Sequence, residues 1–192
     1  MTLRVELKDI EPAVWRELVD LLNLNLESLG HILVVVMGWE GYHLHHFIKG
    51  YDYYAIPDEE FGGEEPFGGL FGHSPVKNHD SRDYTVGDLL SRKRSWIDYE
   101  YDFGDSCEHR VTVADTRKYV KGEERKVELI AGANACPPED CGGVWGYEEL
   151  LESLKKPQSK RAKEFRQWLG YTFDPTEFDL EEMKLDVDLY NK

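Results

Sequence analysis

Polar and apolar positions alternate from the start of the chain. Leu3, Val5 and Leu7 stand against Arg4, Glu6 and Lys8, the period of a strand with one wet face. Pro12 ends or bends that strand, and IEPAVWR follows. Trp15 is expected to cap the core edge, and Arg16 to sit at the surface or in a salt bridge. Asn25 then serves as N-cap for a helix over 26–37, where Leu26, Leu29, Leu33, Val36 and Met37 recur at helical spacing. Val34, Val35 and Val36 pull weakly towards strand, since β-branched residues prefer it. His31 is expected on the polar side of this helix, solvated. Gly38 and Gly41 break it.

Residues 42–48, YHLHHFI, read as a second strand with His43, His45 and Phe47 on one face. Histidines at i and i+2 lie about 7 Å apart along a strand. That spacing suits a metal or a substrate, and equally a polar ladder. From about 52 to 82 the chain is rich in Gly, Glu and Phe without a sustained period. It reads as a long excursion, a flap or a loop pinned by Phe61, Phe67, Leu70 and Phe71. Its glycine pairs lack the Lys-Ser/Thr and the strand–helix context of a phosphate loop. His73 and His79 are lone loop histidines there.

A short helix is expected within 83–90. Trp96–Phe103 alternates again, with Ile97, Tyr99, Tyr101 and Phe103 as the buried set. Gly104-Asp105 supplies a turn, and Val111 and Val113 lie on the returning strand of a hairpin. A further strand falls around 126–130. Helices follow at 147–154, stopped by Pro157, and at 160–169, ended by Gly170. The pattern over 179–190 fits a helix or a strand. This order predicts an α+β fold: a single domain, with a mostly antiparallel, roll-like sheet covered by helices and a long Gly/Glu-rich excursion.

Composition narrows the function. The 192 residues carry 38 acidic and 23 Lys or Arg side chains, a formal net charge of −15. With no basic stripe to offset it, that charge repels a phosphate backbone, so nucleic acid is disfavoured as a partner. The longest apolar run, Ile32–Met37, is too short to span a bilayer. The first residues lack the pattern of a signal peptide, and three cysteines do not make a secreted disulfide framework. The expectation is a cytoplasmic protein.

Two segments concentrate the chemistry, YEYDFGDSCEH at 99–109 and GANACPPEDCGG at 132–143. Cys136 and Cys141, at C-x4-C spacing, are half of a zinc site, and zinc is the cofactor they would suit. His109 with Asp105, or His43 with His45, would complete it. The alternatives are two buried thiols or a transient disulfide. A tight hairpin brings His109 within reach of Asp102 and Asp105, which suits general-base work or metal ligation; Asp105 also fits a plain turn role. Glu139 and Asp140 are adjacent loop acids, able to bind Mg²⁺ or Ca²⁺ with Asp105 or simply solvated. Ser106 lacks a nucleophile elbow, and Glu108 disfavours a thiolate at Cys107.

With IEPAVWR, LGHI, MGWEGYHLHHF, YEYDFGDSCEH, ACPPEDCGG, the Gly146-Tyr147 pair and the tail WLGYTFDPTEFD in hand, the chain resembles the plasmid pRiA4b ORF-3-like family over nearly its whole length. The resemblance implies a roll-like α+β fold. It implies little about activity, because the family is essentially uncharacterised. Some members carry a label tied to insertion-element passenger genes and resolvases. That activity is not carried over, because a serine recombinase needs a nucleophile amid arginines and a basic DNA-binding module. The family pattern has Trp where this chain has Cys107. The residues with chemistry that match it are His31, His43, His45, Asp102, Asp105, His109, Cys136, Glu139, Asp140 and Cys141.

The leading expectation is a non-catalytic binding or interaction module with a polar His/Asp/Cys cluster and a protein or small-molecule partner. The alternative is a metal-dependent enzyme, for instance a hydrolase, using the same residues.

Overall fold

The computed structural model describes residues 1–57, 77–116 and 126–190. Among these, eight strands form one sheet and five α-helices accompany it. The strands are β1 (Thr2–Leu7), β2 (Trp15–Val19), β3 (His45–Lys49), β4 (Asp52–Ala55), β5 (Lys77–Asp80), β6 (Trp96–Tyr101), β7 (Cys107–Asp115) and β8 (Glu128–Ala133). The helices are α1 (Leu26–Met37), α2 (Val86–Leu89), α3 (Gly143–Leu154), α4 (Lys160–Leu169) and α5 (Leu180–Tyr190). The sheet order is β5-β4-β3-β6-β7-β1-β2-β8, antiparallel except for the β4/β5 pair at one edge. This is the expected α+β architecture.

Alternation decides which face is buried. Leu3 and Val5 of β1, Leu18 of β2, Phe47 of β3, Ile97 and Tyr99 of β6, Val111 and Val113 of β7 and Leu129 of β8 are sealed from solvent. Each such side chain contributes on the order of 1.5–3 kcal/mol by leaving water. Helix α1 lies over this face with Leu29, Ile32, Leu33 and Val36, and α5 packs against α1 and β8. Asn25 caps α1 by accepting from the Ser28 amide, and Gly38 closes it in the left-handed region. The far face stays polar: the guanidinium of Arg4 lies 4.0 Å over the Trp15 ring, and that of Arg110 lies 3.8 Å over Trp96.

Several local expectations are corrected. Residues 15–19 form a strand, β2, and Trp15 faces the polar side. Arg16 on the same strand points inward and is 1% exposed. Its guanidinium donates to the carbonyls of Val36, Trp15, Ala133 and Asn134 at 2.7–3.0 Å, and it lies over the Phe178 ring. Four carbonyls therefore replace the water that a surface arginine would keep. The strand expected over 42–48 begins only at His45. Both ends of the 52–82 stretch are ordered, as β4, β5 and a 3-10 turn over Ser81–Asp83. His79 lies on β5, stacked on Tyr54 and close to Asp52 and the Tyr84 hydroxyl. Phe61, Phe67, Leu70, Phe71 and His73 lie outside the described residues. Helix α3 starts four residues earlier than its apolar spacing suggests, and 180–190 is helical.

Candidate functional site

The hairpin turn between β6 and β7, the loop before α3 and the segment after α1 are tied together by side chains. The Tyr101 hydroxyl donates to Glu139 Oε1 at 2.5 Å. Glu139 Oε2 accepts the Glu40 amide at 2.8 Å, and the Trp39 indole donates to the Pro137 carbonyl at 3.0 Å. Asp105 Oδ2 accepts the Gly142 amide at 2.9 Å. Trp39 stacks on Tyr101, with ring centroids 4.9 Å apart. Two glycines here leave no room for a side chain, one within the loop and one against the hairpin. A Cβ on Gly146 would fall 1.7 Å from the Cys141 carbonyl oxygen, and one on Gly143 would fall 2.3 Å from that of Asp105.

The turn itself aims Asp102. Both Asp102 and Ser106 sit in the left-handed region, at φ 59° and 50°. Asp102 Oδ1 accepts the amides of Gly104 and Asp105, at 2.9 and 3.3 Å. This fixes the carboxylate and leaves Oδ2 directed at His43, 3.6 Å from its Nε2. Asp140, also left-handed at φ 58°, brings Oδ1 to 3.4 Å from the same nitrogen. The His43 ring rests against Tyr42 and on the edge of Tyr101. Among the described residues, His43, Asp102 and Asp140 form the group of ligand-capable atoms that all lie within 4.8 Å of one another. His43 Nε2 is shielded from solvent and makes no hydrogen bond in the structure.

The other expected residues go elsewhere. His109 is fully buried, with its ring against Trp39 and Tyr99 and its Nδ1 3.4 Å from the Tyr99 carbonyl. Burial pushes its pKa down to about 4, so it is neutral at pH 7. Cys136 turns inward to Met37 Sδ and the Arg16 guanidinium, whereas Cys141 faces the Gly143 carbonyl. Cys136, Cys141 and His109 are thus not brought together. Burial raises the pKa of Cys136 to about 11 and that of Cys141 to about 12, and raises that of Cys107 further, so all three are held as thiols. Asp105 serves the loop contact.

His45 joins a second cluster on the covered face. Glu27 spans two imidazoles, with Oε1 3.3 Å from His31 and Oε2 3.4 Å from His45, and accepts the Ser81 hydroxyl at 2.8 Å. Despite its burial, these partners lower the Glu27 pKa. Glu27 and His31 share an i, i+4 spacing readable in the sequence; Ser81 and His45 carry no local signal. On the far face His46 pairs with Glu100 at 2.9 Å, and Glu100 also accepts the Ser106 hydroxyl.

Beside the hairpin turn runs a groove of about 350 Å³, bordered by Lys8, Ile10, Asp105, Ser106, Gly142 and Trp145. Trp145 is 84% exposed at its rim. Lys8 is held there by Asp98 and Glu108.

An α+β protein built on one mostly antiparallel sheet, its central hairpin turn locked to a proline-stiffened loop, is the class these features define. A family model for the plasmid pRiA4b ORF-3-like protein matches residues 1–182, and the chain belongs to that family. It is 32% identical over 191 residues to the uncharacterized protein y4hQ of Sinorhizobium fredii (strain NBRC 101917 / NGR234), covering 97% of this chain and 89% of that one. It also resembles the crystal structure of a protein of unknown function, MM3350 from Methanosarcina mazei Go1. That match has a TM-score of 0.76 and 30% identity, and covers 94% of each chain. No described helix is long and apolar enough to cross a membrane.

Proposed function

We propose that this protein is a non-catalytic binding module whose binding point is the cluster of His43, Asp102 and Asp140, with the groove beside the hairpin turn, and that the group it takes is a cation. The observation that carries this reading is the convergence of one imidazole nitrogen and two carboxylate oxygens from three separate segments. The cross-links through Glu139, Asp105 and Trp39 hold those segments in place before any ligand arrives, which lowers the ordering cost of binding. A net charge of −15 favours encounter with positive partners. Groups that would serve as nucleophiles are engaged otherwise: the Ser106 hydroxyl donates to Glu100, and burial keeps the cysteines protonated.

A second reading, a metal-dependent hydrolase, draws on the same residues. Three protein ligands would leave an ion with open positions for water and substrate.

Titration calorimetry with divalent cations and with a short lysine/arginine peptide tests the proposal, comparing wild type with Asp140→Asn. Saturable one-to-one binding of a cation of either kind, weakened at least tenfold by the substitution, is expected. Absence of binding in both series, or binding indifferent to Asp140→Asn, would overturn it. Cation-dependent turnover of phosphate or carboxylate esters, lost in His43→Gln, would replace it with the hydrolase reading.

A further inference from the structure

Resting on the reading that the His43, Asp102 and Asp140 cluster takes a cation, we infer that the cation is a divalent first-row metal ion of the zinc class. It would be ligated by His43 Nε2, Asp102 Oδ2 and Asp140 Oδ1. The separations carry this. Two ligands on one ion with bonds of about 2.0–2.2 Å stand about 3.0–3.6 Å apart. The imidazole nitrogen lies 3.6 and 3.4 Å from the two carboxylate oxygens. It makes no hydrogen bond to either of them, although it is sealed from water. The two carboxylates stand at ion-pair distance without closing a hydrogen bond, and a shared ion would bridge all three groups.

The supporting shell fits a ligand role. The second oxygen of Asp102 is bound by two backbone amides, as an oriented metal carboxylate would be. Tyr42 and Tyr101 fix the imidazole ring. Asp140 is 60% exposed at its side chain and gives the ion a way in. One nitrogen and two oxygens suit Zn²⁺ or Mn²⁺. Mg²⁺ and Ca²⁺ favour all-oxygen shells, and Cu(I) favours thiolates, which here are directed elsewhere. The Glu27 cluster offers one carboxylate only: it accepts the Ser81 hydroxyl and stands 3.3 and 3.4 Å from His31 and His45, whose Nε2 also makes no hydrogen bond.

The test starts from the 192-residue chain stripped of metal by chelator and dialysed. Calorimetric titration with ZnCl₂ should show one ion per chain and a raised Tm. His43→Gln and Asp140→Asn should each weaken binding at least tenfold and abolish the Tm rise. Asp140 is exposed, so its variant should keep the wild-type metal-free melt, and His43→Gln provides an independent check. No zinc binding by the wild type overturns the inference. So does zinc stoichiometry kept in His43→Gln and lost in Cys136→Ser, which would place the ion at the thiols. If zinc fails but the lysine/arginine peptide still binds in an Asp140-dependent way, the ion is wrong and the binding module stands; if both fail, both are overturned.

Discussion

Tyr101 and Glu139, 38 residues apart in the chain, share a 2.5 Å hydrogen bond that ties the end of β6 to the loop before α3. Burial, and then the Glu139 carboxylate, push the phenol pKa well above its usual range, so the hydroxyl stays a donor. Tyr101→Phe should lower stability by about 1–2 kcal/mol, the cost of leaving a charged acceptor with one partner fewer. Hydrogen exchange should speed up at 139–142 and remain unchanged in α1. Unchanged exchange in the loop would show that this bond does not hold it.

Gly143 lets the loop approach the hairpin, and Gly146 lets the first turn of α3 pack against the loop. Gly146→Ala places a methyl group against the Cys141 carbonyl, and Gly143→Ala adds a Cβ at positive φ against Asp105. Both contacts are with backbone, which cannot swing aside. Each variant should lose about 2–3 kcal/mol in a urea unfolding midpoint series. Gly50→Ala is a fitting control, because its Cβ would meet nothing within 4 Å although its φ is also positive.

Arg16 shows how a charge can belong to a core. Its guanidinium is held by four carbonyls and a ring, and Arg16→Ala would leave those acceptors facing a cavity. A loss of about 3–5 kcal/mol is expected in chemical denaturation. A loss below 1 kcal/mol would mean that water replaces the side chain.

His109 makes stability depend on pH. Its folded pKa, near 4, lies below the unfolded value near 6.5, so between those values the unfolded chain binds more protons. Stability from this group is complete above about pH 6.5, declines as pH falls towards 4, and changes no further below that. The integrated loss is on the order of 3 kcal/mol. Glu27, with its lowered pKa, adds a loss at more acidic pH, as it is protonated in the folded state. Denaturant melts from pH 7 to pH 4 should show the decline, and His109→Leu should flatten its upper part. A profile unchanged by that substitution would assign the decline to other groups.

Much of the fold was legible because its faces obey short periods. Helix α1 carries its apolar stripe and its Asn25 cap, and β6 carries Ile97, Tyr99 and Tyr101, all local signals. Phe103 continues the same alternation yet is exposed, because the chain turns over at Asp102. Strand β2 was not legible: Pro12 and the inward Arg16 break the apolar pattern. At the site, composition picks out the 99–109 and 132–143 segments as those that concentrate the chemistry. The geometry of the site was not legible. His109, the most suggestive imidazole by its neighbours, is a core residue, and His43 and His45, adjacent in the pattern, part company because β3 begins between them. Which side chain reaches across to Asp102 depends on left-handed backbone at Asp102 and Asp140, which no periodicity encodes.

Manganese relaxation in NMR is the most direct check on where a cation sits. With substoichiometric Mn²⁺ added to metal-free protein, amide signals of 42–44, 102–106 and 139–142 should broaden first, and His43→Gln should abolish the effect. Broadening centred on the acidic helix α5, or spread evenly over the surface, would contradict a built site at His43, Asp102 and Asp140.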